Sequence, residues 1–313
     1  MRLILAPMEG LADVHLRRII TAQGGFDWVV SEFLRVVDLV YPDRVHYIRC
    51  PELGHGGRTE SGTPVRVQLL GSEPEAMAAN ALRVVELGSY GVDVNFGCPS
   101  KTVNRHKGGA VMLKEPESLY RVVQAIRRAL PPEVMVSAKM RLGFDDTSLM
   151  LENAAAIEAA GAGELTVHAR TRLQGYAPPV DWEALARIRQ HIRIPMIANG
   201  DICSVEDYQR CVSIVGSTDV MLGRGAVRRP FLAAEIKANQ SREAPWLHIL
   251  PLLMAFWQEI NLALPLKERL PRLKQWVSYL RQSHPEAEAL WLRLRTEKSI
   301  ATVQPLLLEA RSS

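Results

Sequence analysis

Short runs of apolar, mostly β-branched residues recur along the first three quarters of the chain, each closed by Gly, Pro or polar residues and followed by a segment with helical spacing. The runs are Leu3 to Ala6, Trp28 to Val30, Val65 to Leu69, Val92 to Val94, Val134 to Ala138, Leu165 to Val167, Pro195 to Ala198 and Val220 to Leu222. Between them, Pro74 to Leu87 places its apolar residues on one helical face and stops before Gly88, and Pro116 to Leu130 and Leu149 to Ala160 behave alike. Strands alternating with helices predict a parallel sheet. Eight such units in roughly 230 residues predict a closed (β/α)8 TIM barrel, an α/β fold, rather than an open doubly wound sheet. The open sheet needs a glycine fingerprint directly after its first strand, where this chain reads Pro7-Met8-Glu9-Gly10. Past residue 242 the strand-like runs stop, and the remainder holds Trp246, Trp257, Trp276 and Trp291 among many leucines. Leu273, Trp276, Val277 and Leu280 follow i, i+3, i+4, i+7. The expected organisation is a barrel over 1–242 and a small C-terminal all-helical domain over 243–313.

Composition narrows the class. With 47% apolar and 23% charged residues the chain has the usage of a globular protein. The net charge of +4 favours a polyanionic partner only mildly. The four cysteines form no CxxC pair and no zinc-like grouping with histidine, so neither a disulfide framework nor a metal site is expected. The first ten residues are too short in apolar sequence for a signal segment, and no stretch approaches about 20 apolar residues, so a cytoplasmic protein without a membrane span is expected.

In a TIM barrel the chemistry sits at the C-terminal ends of the strands. Those positions read Pro7, Met8 and Glu9 after the first run, Gln68 at the third, and Asn95 with Gly97-Cys98-Pro99-Ser100 after the fourth. Lys139 and Arg141 end the fifth, His168 the sixth, Asn199-Gly200-Asp201 the seventh and Gly223-Arg224-Gly225 the eighth. One polar residue after a strand is commonplace; nearly every strand delivering one to the same face is not. The last two turns contain glycine, whose bare backbone N–H groups can approach a phosphate, which predicts a phosphorylated cofactor. Lys139 and His168 stand on adjacent strands, where an ammonium and an imidazole can face the N1/O2 edge of a flavin, and Gln68 can bond the same ring system.

The segment Asp93-Val-Asn95-Phe-Gly97-Cys98-Pro99-Ser100-Lys-Thr-Val-Asn104, continuing to Gly108-Gly109-Ala110, resembles the signature of the tRNA-dihydrouridine synthases. Further matches, such as Ala6-Pro7-Met8-Glu9-Gly10, Lys139-Met-Arg141-Leu-Gly143 and Met221-Leu-Gly223-Arg224-Gly225, extend the resemblance over the whole chain. It is closest to the bacterial C subfamily, which acts on uridine 16, through Glu32 to Val37 and Arg272 to Leu280. Phe96 departs from the pattern, where a cysteine is expected. The resemblance implies FMN held by Pro7, Met8, Glu9, Gln68, Lys139, His168, Asn199, Gly200, Asp201, Gly223 and Arg224, with NADPH, or NADH, as reductant. It implies that Cys98 is the proton donor, that Asn95, Arg141 and Tyr176 hold the uracil, and that Arg35, Arg272, Lys274 and Arg295 contact the tRNA. A monomer with no protein partner is expected. The chemistry agrees: hydride addition at C6 of uracil leaves an enolate whose C5 needs a positioned acid, and a cysteine with a pKa of about 8.5 is protonated at neutral pH.

Three other readings compete. A flavin barrel acting on a small pyrimidine or enone would share the phosphate turns but has no use for the helical domain. A Schiff-base aldolase would use Lys139 as nucleophile. A non-catalytic RNA-binding protein would keep its tRNA after loss of Cys98.

Overall fold

A computed structural model describes residues 1–241 and 243–310. Among them nine strands form one parallel sheet: β1 (Leu3–Leu5), β2 (Trp28–Val30), β3 (Leu34–Arg35), β4 (Val65–Leu70), β5 (Val92–Phe96), β6 (Val136–Arg141), β7 (Glu164–His168), β8 (Met196–Asn199) and β9 (Val220–Leu222). β1 pairs with both β2 and β9, and β2 pairs with β4, so eight of them close into the barrel expected from the alternating pattern. The extra strand, β3, is two residues long and pairs with the mouth end of β4, Leu34 opposite Leu69.

Helices α1 (Val14–Thr21), α2 (Asp43–Arg49), α3 (Pro74–Glu86), α4 (Lys101–Arg105), α5 (Pro116–Ala129), α6 (Met150–Ala159), α7 (Trp182–His191), α8 (Val205–Val215), α9 (Arg224–Arg228) and α10 (Leu232–Ala238) accompany the strands. Pro at the first turn starts α3 and α5 without wasting a backbone donor, and Asp13, Asp181 and Ser204 cap α1, α7 and α8 through their side chains. The period of two in each strand divides the barrel cleanly. Leu3, Leu5, Val92, Val94, Phe96, Leu165 and Val167 belong to the large outer core beneath the helices, whereas Ile4, Ala6, Trp28, Val30, Ile197 and Met221 form a separate inner cluster.

The rest of the barrel interior is polar and internally bonded. At its floor Arg66 donates to Ser137 Oγ (3.0 Å) and to Glu164, and Arg2 bridges Glu164 (2.8 Å) and Asp219 (2.7 Å). Both guanidinium groups lie over the Trp28 ring, at 4.9 Å and 5.2 Å, which closes this end with packed side chains.

Four further helices follow, α11 (Trp246–Ala263), α12 (Leu266–Leu280), α13 (Pro285–Leu294) and α14 (Val303–Glu309). The expected boundary at 242 and 243 falls on Arg242, which is outside the described residues. Phe256 of α11 meets Trp276 of α12 edge to face at 4.8 Å. This helical layer is fastened to the barrel: Trp276 Nε1 donates to Val227 O (3.0 Å), Arg272 Nε to Asp13 Oδ2 (2.7 Å), and His15 Nδ1 lies 2.7 Å from Glu259. Among the described residues no helix is long and apolar enough to cross a membrane.

Candidate active site at the barrel mouth

The C-terminal ends of the strands enclose a cavity of about 710 Å³. Its wall contains Pro7, Met8 and Glu9 after β1, Asn95 and Cys98 at the end of β5, Lys139 and Arg141 from β6, His168 from β7, Asn199, Gly200 and Asp201 after β8, and Gly223 and Arg224 after β9. Tyr176 joins them from the loop after β7. In the ring of eight, β5 stands opposite β9, so Cys98 faces the Gly223–Arg224 turn across the opening.

Cys98 is half-buried, and burial pushes its thiol above the ordinary 9.0; Glu9 pushes the same way, while the Ser100 backbone N–H and Arg141 oppose it. Its loop is pinned from below. Cys98 O accepts from Asn104 Nδ2 (3.0 Å) and Ala110 N (3.2 Å), and Asn104 Oδ1 accepts from Val111 N (2.7 Å). Gly109 sits at φ +70°, where an added Cβ would lie 3.0 Å from Cys98 Cβ.

Asn95 is braced on both ends, donating from Nδ2 to Gln68 Oε1 (2.8 Å) and accepting at Oδ1 from Gly97 N (2.8 Å). Gln68, expected on the cofactor, lies fully buried one layer below the cavity: its Nε2 donates to Asp93 Oδ2 (2.7 Å), and its Oε1 holds Asn95. Its side chain lies on the inner face of β4, directly beneath Asn95.

Lys139 has its pKa lowered to about 8, first by burial and then by Arg141, against the pull of Asp93. Among the described residues its ammonium has no hydrogen-bond acceptor. His168 is driven far below its ordinary 6.5 by burial and then by the charges of Lys139, Arg141, Arg170 and Arg224, so the imidazole is neutral. Arg141, expected on the uracil, lines the cavity and donates to three backbone carbonyls, Gly97 O (2.8 Å), Thr171 O (3.1 Å) and Gly175 O (2.9 Å), tying the Cys98 loop to the Tyr176 loop. Its guanidinium lies 5.3 Å from the Tyr176 ring centre, and that of Arg224 lies 4.9 Å away.

The two glycine turns are packed against each other and against His168. A Cβ on Gly200, at φ +128°, would lie 3.2 Å from His168 Cδ2, and one on Gly225 would lie 2.1 Å from Ile202 O. Arg170, fully buried, donates to Ala177 O (2.7 Å) and grips both oxygens of Asp201, which also receives Arg224 (3.2 Å).

The residues expected on tRNA do not share one environment. Arg35 is half-buried on β3, and Arg295 is exposed at the end of α13. Lys274 spends its ammonium on Glu297 O (2.7 Å) and Arg295 O (3.2 Å). Arg272 is 9% exposed, with donors on Asp13, Leu11 O and Gln275, and fastens α12 to the barrel. Asn104 and Arg170, neither singled out as a site residue from the sequence, hold the site, and Gln275 and Tyr279 of α12 line the cavity. Their signals in the sequence are the spacing of one helical turn and their place in the Arg272 to Leu280 segment.

Fold and cavity together define a barrel enzyme whose chemistry is done at the strand C-termini. Two solved structures share the architecture: 2-naphthoyl-CoA reductase with 2-naphthoyl-CoA (TM-score 0.58, 13% identical, covering 77% of this chain and 50% of that one) and histamine dehydrogenase from Rhizobium sp. 4-9 (TM-score 0.56, 13% identical, 82% and 48%). The family described as dihydrouridine synthase (Dus) matches residues 4–282, and the chain belongs to that family. Similar relatives carry the name tRNA-dihydrouridine(16) synthase: one from Shewanella oneidensis is 47% identical over 99% of this chain and 98% of its own, and one from Aquipseudomonas alcaligenes is 45% identical over 98% and 99%.

Proposed function

We propose that the protein reduces the 5,6 double bond of uridine 16 in tRNA, with FMN held at the barrel mouth and NADPH as reductant. The observation that carries this reading is the pairing of a protonated thiol on β5 with two glycine turns on the opposite side of the same cavity. The names and near-complete coverage of the relatives support uridine 16 as the position.

The residues present fit the cofactor. Gly200, Gly223 and Arg224 would take its phosphate, where Gly200, at φ +128°, is tight against His168 and Arg224 is held by Asp201. Lys139, a half-buried cation short of an acceptor, would meet the electron-rich edge of the ring, and neutral His168 would offer it one N–H. Bound there, the flavin would supply hydride to C6 of the uracil.

The chain's own residues do the remainder. Asn95, with its amide fixed by Gln68 and the Gly97 N–H, and Tyr176, braced between two arginines, would orient the flipped-out base. Arg141 keeps the Cys98 and Tyr176 loops in register while contributing positive potential to the developing enolate. The Cys98 S–H then gives its proton to C5, and the resulting thiolate is reprotonated from solvent. The helical segment after residue 243 would carry the tRNA body, with Arg35, Arg272, Lys274 and Arg295 among its contacts.

The test is dihydrouridine mapping in tRNA from cells lacking the gene. Position 16 should revert to uridine; reversion at 17 or 20 in its place would overturn the assigned position. A purified protein that takes up no FMN would overturn the cofactor assignment.

A further inference from the structure

We infer that Asp93, inside the barrel, is a positioning residue for the reaction: acting through Gln68, it holds the Asn95 amide in one of its two possible orientations, an inference that rests on reading Asn95 as a contact of the uracil. Parallel pairing sets Gln68, Asp93 and Ser137 side by side across β4, β5 and β6, one layer below Asn95 and Lys139. Asp93 and Asn95 share the inner face of β5, since Val92, Val94 and Phe96 take the outer one. Asp93 is 1% exposed, so whatever it does for the base is carried by Asn95, which lines the cavity.

The hydrogen bonds that link these residues can run in only one sense. Arg66 Nη1 donates to Ser137 Oγ (3.0 Å), and the hydroxyl passes its own hydrogen to Asp93 Oδ1 (2.6 Å). Gln68 Nε2 donates to Asp93 Oδ2 (2.7 Å), Asn95 Nδ2 to Gln68 Oε1 (2.8 Å), and Gly97 N to Asn95 Oδ1 (2.8 Å). A backbone N–H can only donate and a carboxylate can only accept, so the two amides strung between them both turn their NH2 groups toward Asp93. Burial pushes the Asp93 carboxyl above its ordinary 3.8, against the Gln68 and Ser137 bonds and the charges of Arg66 and Lys139. A donor on each oxygen is nevertheless the arrangement that suits the carboxylate. Without an acceptor at the foot of the chain, Gln68 can turn over, and its NH2 group would then face that of Asn95.

Exchanging the amide and the carboxylate separates this role from a structural one. Gln68→Glu alone sets two carboxyl groups face to face, and the chain then needs a shared proton that is lost as pH rises. Gln68→Glu combined with Asp93→Asn moves the carboxylate one place up. Ser137 then donates to the oxygen of the new amide, the amide donates to the new carboxylate, and the carboxylate still accepts from Asn95, with net charge unchanged. At pH 8 and saturating flavin, kcat/KM for tRNA should fall at least about tenfold in Gln68→Glu and return to within about threefold of the unaltered protein in the double variant. The pH profile should steepen only in Gln68→Glu. Asp93→Leu should lose at least about tenfold at every pH. In the flavin-free protein the melting temperature at pH 8 should drop with Gln68→Glu and recover in the double variant, a readout independent of turnover. A double variant no better than Gln68→Glu, or Asp93→Leu within twofold of the unaltered protein, would sink the assignment. If the unaltered protein leaves tRNA uridines unreduced in the same assay, the reading of the site fails, and the role of Asp93 in the reaction fails with it.

Discussion

Burial raises the pKa of the Cys98 thiol and lowers that of the Lys139 ammonium, because in both it disfavours the charged form. For Cys98 the protonated form is the useful one, so the activity it supports is present below its folded pKa and lost as pH rises through it. The single-turnover rate should hold past pH 9.0, the ordinary value for a thiol, before it declines. Cys98→Ala should cut dihydrouridine formation by about 10²- to 10⁴-fold while flavin uptake survives; an alanine variant of near-normal rate would remove the thiol from the mechanism. Lys139 has the opposite sign. Between about 8 and 10.5 the unfolded chain binds a proton that the folded chain has released, so stability rises with pH across that window. At neutral pH the ammonium is therefore a burden on the flavin-free protein, and Lys139→Met should stabilise that form by about 1–3 kcal/mol while weakening FMN binding. Thermal melts at pH 7 with and without FMN decide it. At this scale the sequence reveals which face of a strand a residue takes, which is why Asn95, Lys139, His168 and Asn199 are legible as cavity residues. It does not reveal depth, so the hydrogen bonds that join Gln68 to Asn95 and Asp93 are not legible. Nor does it reveal that Arg272 meets Asp13, 259 residues away.

The loop from Cys98 to Gly109 works as one element because Asn104 bonds both its start, at Cys98 O, and its end, at Val111 N. A methyl group on Gly109 has no space without moving Cys98 or Val103, and the backbone there is left-handed. Gly109→Ala should therefore lower the reduction rate at least about tenfold with little change in flavin affinity, since a misplacement of about 1 Å is felt strongly in catalysis. Equal rates for variant and parent would show that the loop tolerates the shift. Elements with several turns of apolar periodicity are legible to within a residue or two: the pattern predicts a helix over Pro74 to Leu87, and α3 spans Pro74–Glu86. β3, α2 and α4 are not legible, because two to seven residues do not complete enough periods to stand out. Phe96 departs from the family pattern harmlessly, since its side chain lies in the outer core, away from the cavity.

The helices α11 to α14 are bonded to the barrel through α11 and α12, so barrel and helices should unfold together. Trp276→Ala removes a fully buried ring, its contact with Phe256 and the bond to Val227 O, and should cost about 3–5 kcal/mol in one cooperative transition. Two separated transitions in calorimetry would show the helical segment to be autonomous. Acid sensitivity is also a property of the whole molecule. His46, His168 and His284 are each held below 6.5 chiefly by burial. Below that pH the unfolded chain takes up protons that the folded chain refuses, so stability should fall as pH drops through 6.5, and His168→Gln should flatten the slope.

The charged floor of the barrel has a kinetic consequence. With Arg66, Glu164, Arg2 and Trp28 packed together, side chains fill the end of the barrel away from the mouth, so the proposed reductant and the RNA would both dock at the mouth cavity. Reductant and RNA must then alternate, one leaving before the other docks. Initial-rate plots at several tRNA concentrations should give parallel lines, and lines that converge would mean a second way in.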